Sequence, residues 1–305
     1  MKRISILLVA ALITMALAAC QNNQAPSEQA TPAVAPPESA APIVSIDPTS
    51  DDETIVAIRQ DVIEIPDDAN PLPDGITPFE MYVPAMRQLV TAMAEAEAFQ
   101  LSMYTGFRMY VGDTLFSKES DILLWRTDAD VKIDMITSSI GEQAAAIIYF
   151  RDGIAYTDTE GIQTQRPASL EDIFAEAGIS QADLVPMDLI DFDMNDIIEQ
   201  RGFGFDGGYE LIFALDPSTM HYAVDRVVSL LDTDTDDISI QPASADFFVN
   251  LDEDHNLTLL DLFVTFHIDI DGELAQAGLV FAVEYRQIGD VTIDFPEDLN
   301  TFTEM

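Results

Sequence analysis

The chain has 305 residues, with 55 acidic against 13 basic side chains and a formal net charge of -42. Such a field repels nucleic-acid phosphates and anionic lipid headgroups, which argues against DNA or RNA as partners. Hydrophobic residues make up 48% of the chain, ample for a large core, and the single cysteine excludes an internal disulfide or a thiol redox pair.

Lys2 and Arg3 form a short positive start, followed by an uncharged apolar run from Ile4 to Ala19. That run is shorter than the roughly 20 residues a helix needs to cross a bilayer, and its small residues Ala18 and Ala19 end at Cys20. This is the layout of a secretory signal segment. Leu17-Ala18-Ala19-Cys20 resembles the lipobox of bacterial lipoproteins. The resemblance implies cleavage before Cys20, a diacylglyceryl group on its sulfur and an acyl chain, palmitate for example, on the new amino terminus. The alternative is an ordinary signal peptide with an incidental cysteine. Two or three acyl chains hold a protein firmly to a membrane, where one holds it marginally. The expected organisation is a signal peptide at 1–19, a lipidated flexible tether at 20–50, an extended acidic segment at 51–77 and a β-rich domain at 78–305. The tether expectation rests on the Ala, Pro, Ser, Gln and Thr of 21–50, a composition without sustained period.

Beyond Thr77-Pro78, the residues Phe79, Tyr82, Val83, Met86, Leu89, Val90 and Met93 recur at helical spacing. Thr77 can cap this helix and Pro78 suits its first turn, while Pro84 should kink it or mark its true start. The period then changes to two. Phe99, Leu101, Met103, Phe107, Met109 and Val111 alternate with more polar residues in a half-buried strand. Asp121 to Thr127, Val131 to Thr137, Gln143 to Phe150, Ile154 to Thr157 and Ile162 to Arg166 continue an antiparallel meander. Arg151-Asp152-Gly153 and Thr159-Glu160-Gly161 are its turns.

Ser169 caps a short helix, with Asp172 at the box position and Gly178 as the stop. Asp183 to Gln200 reads as broken helix, the glycine-rich 202–208 as a flexible join, and Tyr209 to Leu215 as a strand. Asp216-Pro217 opens a helix with Met220, Val224, Val227 and Leu231 on one face. Ile238 to Leu251, Asn256 to Ile270, Leu274 to Ile288 and Val291 to Phe295 read as strands. Between Asn256 and Ile270 the even positions are unbroken apolar while the odd ones mix in Asp261, His267 and Asp269, so one sheet face is buried and the other partly wet. The fold class expected is α+β, a large twisted antiparallel sheet whose apolar face is covered by helices.

This order, with the phrase from Ala145 to Ile173 and the late Val291 to Phe302, resembles the superfamily of the Lol-type lipoprotein carriers. The resemblance implies a curved antiparallel half-barrel around a few helices, with a concave apolar side that takes acyl chains. A permanently tethered member would not shuttle between membranes.

No motif specifies a reaction. Asp252, Asp254 and Asn256 alternate like the start of a calcium loop, but Leu257 and Phe263 stand where Gly and a bidentate Glu are required. His221, His255 and His267 lack metal spacing. Gly202, Gly204 and Gly207 match GxGxxG as letters, but a dinucleotide loop follows a strand and opens a helix. Trp125, Phe107, Tyr149, Tyr156 and Phe263 read as core or cross-strand pairs, with a ligand cavity as the alternative. The function expected is a non-enzymatic, membrane-anchored, extracytoplasmic module for a lipid or other hydrophobic ligand. The alternative is an envelope-stress regulator or assembly scaffold with a protein partner. No cofactor is expected beyond the diacylglycerol and N-acyl lipid on Cys20.

Overall fold

The computed structural model describes residues 69–304, apart from 74, 113, 186–191, 193, 206, 232–237 and 271. Cys20, the signal segment, the tether and the acidic residues up to 68 lie outside the described residues. Asn70–Pro71 forms β1 and Pro78–Glu95 forms α1. A meander follows: β2 (Phe99–Val111), β3 (Thr114–Arg126), β4 (Val131–Ser139), β5 (Glu142–Arg151), β6 (Ile154–Thr159) and β7 (Ile162–Pro167). Next come α2 (Leu170–Glu176), α3 (Gln181–Leu184), β8 (Ile197–Phe205), β9 (Gly208–Leu215) and α4 (His221–Leu231). The chain ends with β10 (Ile238–Asp252), β11 (Leu257–Ile270), β12 (Glu273–Ile288) and β13 (Thr303–Glu304).

The strands form one sheet of 13, in the order β1-β8-β9-β10-β11-β12-β2-β3-β4-β5-β6-β7-β13. It is mixed rather than purely antiparallel, because β13 runs parallel to β7. Among the described residues it does not close, since its outermost strands are β1 and β13.

Local chemistry explains several of these elements. Thr77 and Glu80 form a reciprocal capping box at the start of α1, and the helix runs on through Pro84. Ser169 with Asp172, and Ser180 with Asp183, do the same for α2 and α3. Asp152 and Gly153 both take positive φ, at 53° and 77°, the twist a two-residue hairpin turn needs.

Two expectations fail. Residues 197–200 are strand, not helix, and 202–208 is no flexible join: Gly202 and Gly204 lie in β8 and Gly208 opens β9. Glu199, Gln200 and Arg201 are good helix formers, but pairing with β9 overrides that preference. The glycines permit close approach. A Cβ on Gly202 would stand 2.7 Å from Leu72 Cδ1, and one on Gly208 would stand 1.9 Å from the Leu251 carbonyl oxygen. Gly208→Ala is therefore expected to cost about 1–3 kcal/mol, read as a lower urea midpoint. Gly204→Ala, whose nearest neighbour would be 3.6 Å away, should stay within about 0.5 kcal/mol. Equal costs would refute the close-approach account.

The second failure is Val291 to Phe295. Val291, Ile293 and Phe295 are half-buried in alternation, yet the segment makes no ladder. It leads from β12, in mid-sheet, to β13 at the far edge. Phe295 packs on Tyr149 at 5.5 Å and beneath the Arg151 guanidinium at 3.6 Å, and Phe302 packs edge-on against Tyr156. An extended chain laid across strands alternates like a strand but has no neighbour to pair with. Within the segment expected to be extended, Asn70 and Pro71 pair with Gly204 and Phe203.

Candidate functional site

Directly paired residues share a sheet face. One row on the first face runs Phe213-Phe247-Leu262-Phe281-Thr105, and the next runs Leu211-Val249-Leu260-Val283-Met103-Ile122-Met135. Nearly all of these side chains are buried. The second face carries Phe248, Asp261, Ala282, Tyr104, Asp121 and Ile136, a partly polar row.

Helices α1, α3 and α4 all meet the first face. Tyr82 of α1 stacks on Phe192 at 5.1 Å, tilts against Phe213 at 5.5 Å and meets Phe247 edge-on at 5.7 Å. Phe192 is itself edge-on to Phe213 and Phe247, so it wedges between helix and sheet. Such ring pairs add about 0.5–1.5 kcal/mol each beyond their buried area. Tyr222 of α4 meets Phe281 at 5.4 Å.

Beside this cluster lies a buried polar lock. Asp183, 2% exposed, accepts from the Tyr222 hydroxyl at 2.6 Å and from the Ser180 backbone N–H at 2.5 Å. Arg226 Nη1 stands 3.5 Å from Asp183 Oδ2 and donates to the Gly178 carbonyl at 3.1 Å. Arg226 Nη2 donates to Thr105 Oγ1 of β2 at 3.4 Å, and the Tyr285 hydroxyl of β12 donates to the Leu184 carbonyl at 3.0 Å. The lock ties α3, α4 and the segment after α2 to the middle of the sheet. Among the described residues, Arg226 Nε is buried without an acceptor. Burial, and then the Asp183 charge, drives the Tyr222 hydroxyl far above the usual phenol range; burial does the same to Tyr285. Both therefore remain neutral hydrogen-bond donors across the physiological range.

The first face is not sealed everywhere. At the strand ends where β2 finishes and β10 begins, Val111, Phe116, Ile240 and Ile270 are only half-buried, as are Met135 in the middle of β4 and Leu230 and Leu231 of α4. At the opposite strand ends, an open cleft of about 330 Å³ lies among Asn70, Pro73, Phe205, Tyr209 and Glu253.

The aromatic residues singled out from sequence do not converge. Phe107 is buried on the first face against Phe116, whereas Trp125, Tyr149, Tyr156 and Phe263 lie on the second. Tyr149 and Tyr156 are a cross-strand pair, and Lys132 sits over Trp125 at 4.3 Å. The histidines are also apart: His221 opens α4, His255 packs on Tyr209 in a turn, and His267 is exposed on β11. Asp252 accepts from the backbone N–H groups of Asp254 and Asn256, which makes that stretch a hairpin turn. Among the described residues, no three His, Cys, Asp or Glu side chains gather as a metal site would require. Also among them, no helix is long and apolar enough to cross a membrane. The acidic run at 232–237 lies outside the described residues.

Neither a family model nor a curated protein matches this chain. Among solved structures it is similar to LprF from Mycobacterium bovis, at 11% identity over 73% of this chain and 99% of that one, with a TM-score of 0.33. It is also similar to a DUF1329 family protein from Desulfovibrio piger, at 10% identity over 72% and 96%, TM-score 0.22. A domain from Vibrio parahaemolyticus, named for outer membrane lipoprotein sorting, matches at 8% identity over 72% and 97%, TM-score 0.21. At these scores the likenesses decide neither the fold nor a residue's role.

Proposed function

We propose that this chain is a membrane-anchored extracytoplasmic lipoprotein, acylated at Cys20, whose helix-covered sheet face binds an acyl chain or a similar hydrophobic ligand. In this reading the helix-bearing face is the concave side of a Lol-type half-barrel. The observation that carries it is the half-buried apolar rim of Val111, Phe116, Ile240 and Ile270, continuous with the buried first face, with Met135 half-buried further along that face. An apolar ligand lying along that rim would complete its burial, at about 25 cal/mol per Å² of apolar surface removed from water. No bond chemistry is involved.

Adjacent residues on opposite faces give the test. Met135 is half-buried on the first face, and Ile136, 42% exposed, faces the other way. Met135→Glu is expected to weaken binding of a fluorescent fatty acid at least tenfold, and Ile136→Glu less than twofold. Native mass spectrometry of the chain from its producing cells should show co-purifying lipid. No bound lipid together with no fatty-acid binding would sink the reading, as would equal effects of the two variants. For the anchor, Cys20→Ser is expected to release the chain from the membrane fraction and remove the mass of its acyl chains.

A further inference from the structure

The first-face row that starts Phe213-Phe247-Leu262-Phe281 changes character at β2. It continues through Thr105, Ser120 and Thr137, three hydroxyls set side by side across β2, β3 and β4, and then through Ala144 of β5. Two cations stand beside this row. Arg226 of α4 donates to Thr105 Oγ1, and its Nε is buried without an acceptor among the described residues. Lys118 lies two residues from Ser120 on β3 and pairs with Phe107, so it shares the face. Among the described residues Lys118 has no ion pair, and the Ser120 and Thr137 hydroxyls have no hydrogen-bond partner. The notch opens away from α4. Thr105 is buried, Ser120 and Thr137 are half-buried, and Lys118, Ser139 and Ala144 are exposed. The next row, about 7 Å along the strands, is apolar: Met103, Ile122, Met135 and Ala146.

We propose that this notch binds the monoanionic oxygen head, a carboxylate or a phosphodiester, of an acyl ligand whose tail lies over Met135 and Ala146. The inference rests on the acyl-ligand reading above and adds the end of the ligand that the apolar face alone does not select. The donors suit an oxyanion. Hydroxyls and a guanidinium N–H donate to it, and a Lys ammonium serves as a point charge without demanding bidentate geometry. The count of charges suits a monoanion. Asp183, 3.5 Å from Arg226, offsets the guanidinium, which leaves the charge of Lys118 to be matched. Glu142 shares the Lys118 row beyond Ser139, but it is exposed and two strand spacings away, about 10 Å. At that separation salt largely screens it. The formal net charge of -42 opposes an anion at long range, yet beyond about 8 Å that field is screened too, so the local donors decide. Ala144 and Ala146 place no bulk beside Thr137 and Met135, which leaves room for a chain at the join of head and tail.

The test is competition against an uncharged fluorescent acyl ester on the full chain. Dodecanoate is expected to bind about fivefold tighter than dodecanol, or tighter still, because its head adds charge-assisted hydrogen bonds. Lys118→Gln should erase that preference while dodecanol stays within about twofold, and Lys118→Glu should reverse it. Ser120→Ala together with Thr137→Val should weaken dodecanoate and spare dodecanol. Lys132→Gln, on the second face beside Trp125, should leave the preference as it was. Lysophosphatidylglycerol measured beside dodecanoate separates the two heads, and the tighter of them should be the one that loses most in Lys118→Gln. Equal binding of dodecanoate and dodecanol to the unsubstituted chain would overturn the head site and leave the acyl-ligand reading standing. So would a preference that survives Lys118→Gln. If neither amphiphile binds, both readings fall.

Discussion

Asp183→Ala is expected to cost the fold about 3–5 kcal/mol, among the largest effects of any single side chain outside the aromatic cluster. The reason is what it leaves behind. Arg226 has a side chain only 16% exposed, and its partner carboxylate would be gone. The Tyr222 hydroxyl, 2.6 Å from that carboxylate, would lose its acceptor in an apolar setting. An unpaired buried donor costs about 1–3 kcal/mol, and a buried charge costs more. The local box would fail as well, because Ser180 and Asp183 cap the four-residue α3, which is too short to persist alone. Urea unfolding measures the total. Hydrogen exchange should localise the loss to 178–184 and α4 before the sheet opens.

A double-mutant cycle separates the lock from ordinary packing. Tyr222→Phe keeps the ring against Phe281 and removes only the hydroxyl, so about 1–2 kcal/mol is expected. Asp183→Ala with Tyr222→Phe should then cost less than the sum of the two, by at least 0.5 kcal/mol, because the groups share one hydrogen bond. Strict additivity, or a loss under 1 kcal/mol for Asp183→Ala, would show that the helices are held by their apolar contacts alone.

The same lock shows where sequence reading stops. The Thr77 cap, Asp152-Gly153 and the alternation of β2 were legible because each depends on residues within a few positions of one another. β8 was hidden because its strand pairing is tertiary, while Glu199 to Arg201 suit a helix and Gly202 and Gly204 suit a join. Val291 to Phe295 showed true alternation, but periodicity does not say whether a neighbour lies alongside. For Asp183 a local signal existed, the Ser180-to-Asp183 spacing of a capping box, and it carried only the cap. The partners are 39 residues away for Tyr222, and 121 separate Arg226 from Thr105. Nothing short-range announces that a capping carboxylate also serves a second helix.

Alkaline solution should unfold this chain far earlier than its core would suggest. Tyr82, Tyr222 and Tyr285 all have phenols held well above their ordinary range, burial being the first cause in each. A group whose folded pKa is raised contributes stability that is complete below its unfolded value and is lost as pH rises beyond it. In the unfolded chain these phenols ionise near pH 10, whereas the folded chain keeps them protonated. Each loses about 1.4 kcal/mol at pH 11, so three remove roughly 4 kcal/mol, a large part of a typical 5–15 kcal/mol. Tyr104 behaves more mildly, its phenol pushed up to about 12 by burial and then by Glu119. The expected result is a urea midpoint nearly constant from pH 7 to 9 that drops steeply between 10 and 11. Phenolate absorbance should rise together with unfolding rather than ahead of it. Tyr82→Phe and Tyr285→Phe should each flatten the slope by about one proton. If the three phenols titrate near pH 10 while the fold stays intact, the hydroxyls are open to water, and the buried seat of the helices described above is wrong.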